Sequence, residues 1–435
     1  MDPLILGIAG FATLFFLIFV FRMPIGFAMA IIGFIGIWLI SSISAALGSL
    51  ATIPYRTVAF SSMSVIPMFI LMGEFAFHSG IISDSYKTVN KWIGHLPGGL
   101  GMATIGGCSA FAACCGSSVA CCTVMVPVAW PEMQKYKYAP SLALGTIAAG
   151  GTLGVLIPPS TGFVIYGILA EQSIGRLLIA GLLPGILLSV AFMLAIYLSV
   201  RIKPSLVGVP TAKANWHERI ASLKGVWLVI ILGAVVLGSI WFGLCTPEEA
   251  GGLGALTTLI IALGRKRLTK IQFVQSLVNT ARTSAMVFTI LIGAMIFNSF
   301  LVITGLPNIL SEFVSGLPLP PTAILITILV FYFLLGSVMD PLAMTILTLP
   351  VILPTLGQLE INLIWFGVLF TIMTELAMIT PPIGINVFVI SGMAKDVNMY
   401  SVFRGVLPFV LAMVACLAIL ISFPQISLLL PMAMR

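Results

Sequence analysis

Ionisable side chains are the first thing this chain is short of. Only 8% of its 435 residues are Asp, Glu, Lys or Arg, where a soluble globular domain carries roughly a quarter. That deficit excludes a water-solvated fold. Histidine is scarcer still: His78, His95 and His217 are the whole supply and stand far apart, so they cannot build a zinc cage. The seven cysteines contain no CxxC pair. Five of them (Cys108, Cys114, Cys115, Cys121 and Cys122) crowd one glycine-rich apolar segment, where small apolar packing is the expected role. There is no Walker A loop and no HExxH, and Ser117 and Asp340 have no histidine nearby to serve as a base. The chain does not read as an enzyme, and uphill work without a nucleotide must draw on an ion gradient.

What is present is apolar length. Hydrophobic residues make up 60% of the chain, and long runs recur over 4–21, 23–40, 178–200, 226–245, 247–263, 284–304 and 405–428. A helix needs about 20 such residues to cross the hydrocarbon core of a bilayer. The first run does not read as a cleavable signal, since Asp2 replaces the basic n-region and no small-residue cleavage site follows, and it is expected to be the first span. The expectation is an all-α polytopic membrane protein.

The net charge of +7 raises the question of nucleic acid, but the basic residues lie between spans. With the N-terminus outside, all of the 20 Lys and Arg residues except Arg56, Arg176 and Arg435 fall on the inner side. The positive-inside rule accounts for that bias. No nucleic acid partner is expected, and both termini are placed on the outer face.

Proline gives the organisation. Pro-Pro stands at 158–159 and again at 381–382, 223 positions apart, and the same offset relates Pro24 to Pro247, Pro127 to Pro350 and Pro131 to Pro354. Gly80 and Gly305 match at an offset of 225. The chain reads as a duplication. Pro24 begins a span that runs outward and Pro247 one that runs inward, so the halves are inverted repeats. The first repeat is taken as 1–203, a cytoplasmic connector broken by Pro204 and Pro210 as 204–225, and the second repeat as 226–435. In each half two spans precede a semi-polar segment read as an interfacial helix (41–56 and 265–282), then a span ending at Gly80 or Gly305. Broken segments follow at about 97–137 and 318–360, read as re-entrant hairpins, and broken helices at about 141–170 and 363–393. Irregular backbone at membrane depth survives only where protein or a water-lined cavity satisfies it.

Proline lacks an amide hydrogen, so carbonyls before each Pro-Pro lose their helical partners. A bare alkali cation takes oxygen ligands of that kind. Hydroxyls stand close to the first break (Ser160 and Thr161, with Ser117 and Ser118 at the hairpin tip), and Thr380, Gly336 and Ser337 accompany the second. Two cation sites follow. Half-helix N-termini at the same places suit a carboxylate. Asp340, at the second tip, holds a cation, carries a proton or orients a donor; Glu375 lies either in the core or at the outer interface. Thr246-Pro247-Glu248-Glu249 reads as a helix cap.

The runs Leu156-Ile157-Pro158-Pro159-Ser160 and Ile379-Thr380-Pro381-Pro382-Ile383-Gly384, the tip Gly116-Ser117-Ser118 and Thr246-Pro247-Glu248-Glu249-Ala250 resemble the large membrane subunit of tripartite ATP-independent periplasmic (TRAP) transporters, over essentially the whole chain. The resemblance implies an elevator-type ion transporter fold in a bacterial inner membrane. It implies Na⁺-driven import of small organic acids, such as sialic acid or C4-dicarboxylates, delivered by a soluble periplasmic substrate-binding protein. It also implies a small four-helix membrane subunit, expected here as a separate chain. By motif, one Na⁺ site resembles Cys115, Ser118, Gly154, Ile157 and Pro159, and the other Gly336, Ala377, Thr380 and Ile383. At least two Na⁺ per cycle are expected. Cys115 stands where the family often has Ser, and Ala377 where Gly is common. Ser117, Ser160, Thr161, Asp340 and Asn386 are the candidate substrate contacts. The alternative is a stand-alone cation-coupled carboxylate carrier or antiporter of the same wider architecture.

Overall fold

The computed structural model describes residues 2–208 and 213–434 and contains helices and turns but no strand among them. Pro210 of the connector and Arg435 lie outside the described residues. Two apolar helices, Pro3–Phe19 and Ile25–Ile40, come first, followed by Ile43–Val58 and by Val65–Ser79, which a short 3-10 turn at Ser61–Ser64 introduces. Gly80, at φ +77°, closes that helix in the left-handed conformation and Ile81–Ile93 starts at once. Gly305, at φ +70°, does the same between Lys270–Thr304 and Leu306–Ser315.

Each half then carries a helix–turn–helix pair and an interrupted helix. The first pair is Gly99–Cys115 with Ser118–Lys135, and the second is Pro321–Gly336 with Pro341–Gln358. The first interrupted helix is Pro140–Leu156 and Thr161–Leu169, bent by 44° at the break. The second is Leu363–Met378 and Ile385–Met393. Leu182–Ile202 ends the first half, and Met399–Ser422 with Gln425–Ala433 ends the second.

Five helices among the described residues are long and apolar enough to cross a membrane: Ser61–Ser79, Ile174–Ile202, Lys270–Thr304, Pro341–Gln358 and Met399–Ser422. The outward faces agree with that setting. On Leu182–Ile202 the exposed stripe is Ile186, Val190, Leu194 and Leu198, and on Met399–Ser422 it includes Leu407, Leu411 and Val414. Apolar stripes facing outward at helical spacing are the inverse of a soluble helix. The interior is held by close backbone crossings at glycine. A Cβ on Gly33 would lie 2.8 Å from backbone atoms of Ile296 and Phe297, and one on Gly405 would collide with the Ser141 carbonyl. Small residues at such crossings let helices pack by van der Waals contact where lipid supplies no hydrophobic drive.

One expectation needs correction. The stretch 265–282 is not a separate interfacial helix: Lys270–Thr304 is one continuous helix of 35 residues. A capping box between Thr269 and Gln272 starts it, and no proline or glycine interrupts it before Gly293. The described part of the connector carries a helix of its own. Its helix Trp216–Ser222 packs on Ile81–Ile93, where Thr88 Oγ1 donates to Ser222 O (2.7 Å) and Trp92 Nε1 to Arg219 O (3.2 Å). Thr246 and Glu249 do form a reciprocal cap at the start of Pro247–Gly264.

Candidate ion and substrate site

In an unbroken helix the amide of residue 158 would donate to Gly154 O, and that of residue 381 to Ala377 O. Both positions are proline, so both donors are missing. The chain leaves the helix at Ile157, whose backbone is extended (ψ 122°), and restarts at Thr161 under a cap in which Ser160 Oγ accepts from Phe163 N at 3.3 Å. The peptide bonds Pro158–Pro159 and Pro381–Pro382 are cis.

The tip of the first helix pair is fitted onto the first break. Gly116 takes φ +66°, a conformation open to glycine at little cost. A Cβ there would lie 3.0 Å from Pro159 O and 3.2 Å from Thr161 N. From the other side, a Cβ on Gly154 would lie 2.7 Å from Ser117 O and 3.2 Å from Ser118 N. Thr161 Oγ1 donates to Gly116 O at 2.9 Å, which pins the restarting helix to the tip. Thus Gly154, Pro159 and Ser118 come together, with Ile157 buried beside them. Cys115 ends the preceding helix, and its Sγ lies 4.0 Å from Ser117 O. Carbonyl and hydroxyl oxygens stripped of helical donors are the ligand chemistry of a hard monovalent cation, so these residues fit Na⁺.

The second break is assembled similarly but less enclosed. A Cβ on Gly336 would lie 3.0 Å from Ala377 Cβ, so this tip rests on Ala377. Thr380 is buried and its Oγ1 donates back to Leu376 O (3.1 Å) and Ala377 O (3.3 Å). Its proton being spent within the helix, the hydroxyl keeps lone pairs for an outside ligand. Ile383, by contrast, is 41% exposed. Pro158 and Pro159 are buried, whereas Pro381 and Pro382 are exposed.

Three helix starts converge on a small cavity of about 110 Å³: Ser117–Ser118, Thr161 and Asp340–Pro341 all line it, together with Thr371, Thr374 and Glu375. A second cavity of about 590 Å³ adjoins it, sharing Ser117, Thr161 and Asp340. Its far wall is polar. Gln275 Nε2 donates to Asn279 Oδ1 (2.9 Å), and Asn279 Nδ2 donates to Glu74 Oε2 (3.2 Å). Of the candidate substrate contacts, Ser117, Thr161 and Asp340 face these cavities. Asp340 spends Oδ1 on capping its own helix, accepting from Leu342 N (3.0 Å) and Ala343 N (3.2 Å). Ser160 is fully buried in its capping role. Asn386 is fully buried too, against Gly151, and lines neither cavity. A larger cavity of about 740 Å³, lined by Arg56, Glu171 and Glu248 among others, lies away from both breaks.

Sequence reasoning missed the polar wall Glu74–Asn279–Gln275, which long-range packing brings together. It also left Glu375 undecided. The structure removes the outer-interface reading: Glu375 is 2% exposed, and Ser118 Oγ donates to its Oε1 at 2.7 Å.

The family model described as "Tripartite ATP-independent periplasmic transporter, DctM component" matches residues 12–426. The C4-dicarboxylate TRAP transporter large permease protein DctM of Pseudomonas aeruginosa is 31% identical over 384 residues, 88% of this chain and 89% of that protein. The sialic acid TRAP transporter large permease protein SiaM of Vibrio cholerae is 29% identical over 410 residues, 94% of this chain and 95% of that protein. The isethionate TRAP transporter permease protein DctMQ of Oleidesulfovibrio alaskensis is 31% identical across 91% of this chain but only 62% of its own length. Among solved structures, the Alcanivorax borkumensis YdaH transporter superposes with a TM-score of 0.61 at 16% identity, over 88% of this chain and 89% of that one. Neisseria gonorrhoeae MtrF gives 0.56 at 12%, over 86% and 84%. At such identities the two structures speak to the fold alone.

Proposed function

The chain belongs to the DctM component family of tripartite ATP-independent periplasmic transporters, and on that premise we propose that it is a Na⁺-coupled importer of small organic acids. It is a multi-pass membrane permease and not an enzyme. Its substrate arrives on a soluble periplasmic binding protein, and a small membrane subunit completes the complex. Relatives named for C4-dicarboxylates and sialic acid support a carboxylate as cargo. The permease sits in the inner membrane with both ends periplasmic. Its two halves work as inverted repeats, and the helix pairs and interrupted helices move together as an elevator past the remaining spans.

One observation carries the cation reading. The prolines remove the donors of Gly154 O and Ala377 O, and glycines of the two helix-pair tips lie against those two breaks. Gly154 O, left without that donor beside two buried prolines, needs a partner, and Na⁺ supplies one there. At the second break Ala377 O already accepts from Thr380 N and Thr380 Oγ1 (both 3.3 Å), and the Thr380 hydroxyl oxygen is the group left for Na⁺. The helix starts at Ser118 and Thr161 suit a carboxylate, and because Asp340 and Glu375 line the same cavity, an anion enters it only with the accompanying Na⁺. Two Na⁺ entering with a monocarboxylate carry net positive charge inward. The membrane potential then adds about 2.3 kcal/mol per net charge for each 100 mV.

The test is uptake of labelled organic acids into proteoliposomes containing this chain and its small subunit, with and without an inward Na⁺ gradient and with and without the binding protein. Uptake that needs both is expected. Uptake without the soluble protein makes it a stand-alone carrier, and uptake indifferent to Na⁺ sinks the coupling.

A further inference from the structure

Glu375 has no role in the account above, yet its surroundings are unusual. It is 2% exposed on Leu363–Met378, two residues before Ala377. Its Oε1 accepts from Ser118 Oγ, 257 positions away in the other half of the chain. Its Oε2 is buried with no hydrogen-bond partner. A buried carboxylate with an unmet oxygen is costly unless opposite charge stands close by. The ion pair of Arg265 with Asp84 involves other side chains.

We propose that Glu375 is the positioning residue of the first cation site, holding Ser118 so that its hydroxyl oxygen faces the break and supplying the negative charge that draws a monovalent cation there. The chemistry is direct. A hydroxyl has one proton and two lone pairs. With the proton committed to Glu375, the lone pairs are left for a cation, beside the break where Gly154 meets the Ser117–Ser118 backbone. Carboxylates behind a ligand act in this way in metal sites, raising its basicity and fixing its orientation.

The arrangement occurs once. The position 223 residues after Ser118 is Pro341, which has no hydroxyl, and the position 223 before Glu375 is Thr152, whose Oγ1 donates to Ala149 O (2.6 Å) in its own helix. The two cation sites are therefore inequivalent: the first is enclosed and has a carboxylate bonded to its hydroxyl, whereas the second is open and the carboxylate at its tip, Asp340, caps its own helix. Because Glu375 and Ala377 share a helix, the bond to Ser118 also ties the first tip to the second break.

The inference rests on the Na⁺ reading, so the experiment separates the two. The thermal midpoint of the purified permease with its small subunit is followed against Na⁺, with choline keeping ionic strength constant. The wild type is expected to be stabilised by Na⁺. Glu375→Gln and Ser118→Ala should each raise the half-saturating Na⁺ about tenfold, Glu375→Asp less, and the double variant no more than the worse single one. If the wild type responds but the variants saturate at wild-type Na⁺, with midpoints lowered equally in Na⁺ and choline, Glu375 is only structural and the proposal fails. A wild type indifferent to Na⁺ overturns the coupling itself, and this proposal with it.

Discussion

Gly154→Ala is the most informative single change at the first break. The added Cβ would stand 2.7 Å from Ser117 O and 2.9 Å from Ser117 C, where ordinary contact begins at 3.4 Å. The obstructing atoms are backbone, so no rotamer change relieves the clash and the tip must retreat by about 0.7 Å. Overpacking of this kind costs about 1–3 kcal/mol. Replacing a helical glycine by alanine returns up to about 1 kcal/mol, so fold stability should fall only slightly. The cation site should suffer more, because its oxygens come from both sides of the displaced contact. If about 1.4–2.8 kcal/mol of binding is lost, half-saturating Na⁺ rises about 10- to 100-fold. A Na⁺ titration of the thermal midpoint reads this directly, with Gly252→Ala as control, since a Cβ on Gly252 meets nothing within 4 Å. A Gly154→Ala protein that saturates at wild-type Na⁺ would refute the placement of a cation between this tip and this break.

Thr380→Ala should raise half-saturating Na⁺ about fivefold, the equivalent of about 1 kcal/mol for one hydroxyl, in the same titration; an unchanged curve removes the hydroxyl from the second site. Gly33→Leu drives a side chain into the backbone of Ile296 and Phe297, and should abolish a monodisperse peak in size-exclusion chromatography. Asp84→Asn breaks the 2.6 Å pair with Arg265, whose side chains are about a quarter exposed. It should cost no more than about 1 kcal/mol, and salt near 0.5 M should shrink the difference in thermal midpoint further.

Sequence exposes what proline and glycine dictate locally. Pro158–Pro159 and Pro381–Pro382 stand where the helices stop, and Gly80 and Gly305 stand where helices turn, because these residues act on their own backbone whatever surrounds them. The long helix was harder to read: Asn279, Thr280, Arg282, Thr283 and Ser284 look like a boundary by polarity, but none of them breaks a helix. In the structure Asn279 faces a cavity wall, bonded to Gln275 and Glu74. Partners set by tertiary packing are not visible at all. Nothing local to Glu375 points to Ser118, and nothing local to Asn386 says that it packs against Gly151 rather than facing a cavity.

The uninterrupted helix from Lys270 to Thr304 has a mechanical meaning. At 1.5 Å per residue its 35 residues make a rod about 52 Å long, more than the full thickness of a bilayer with its headgroups. The corresponding stretch of the first half is two pieces, Ile43–Val58 and Val65–Ser79, joined through residues 59–64. The long helix is a stiff strut, and the two-piece stretch that packs beside it is a jointed limb. A force on the core reaches both, but the strut can only tilt as a whole while the limb can fold at its elbow. Bending compliance is therefore concentrated in one half of a chain whose two halves otherwise carry much the same elements.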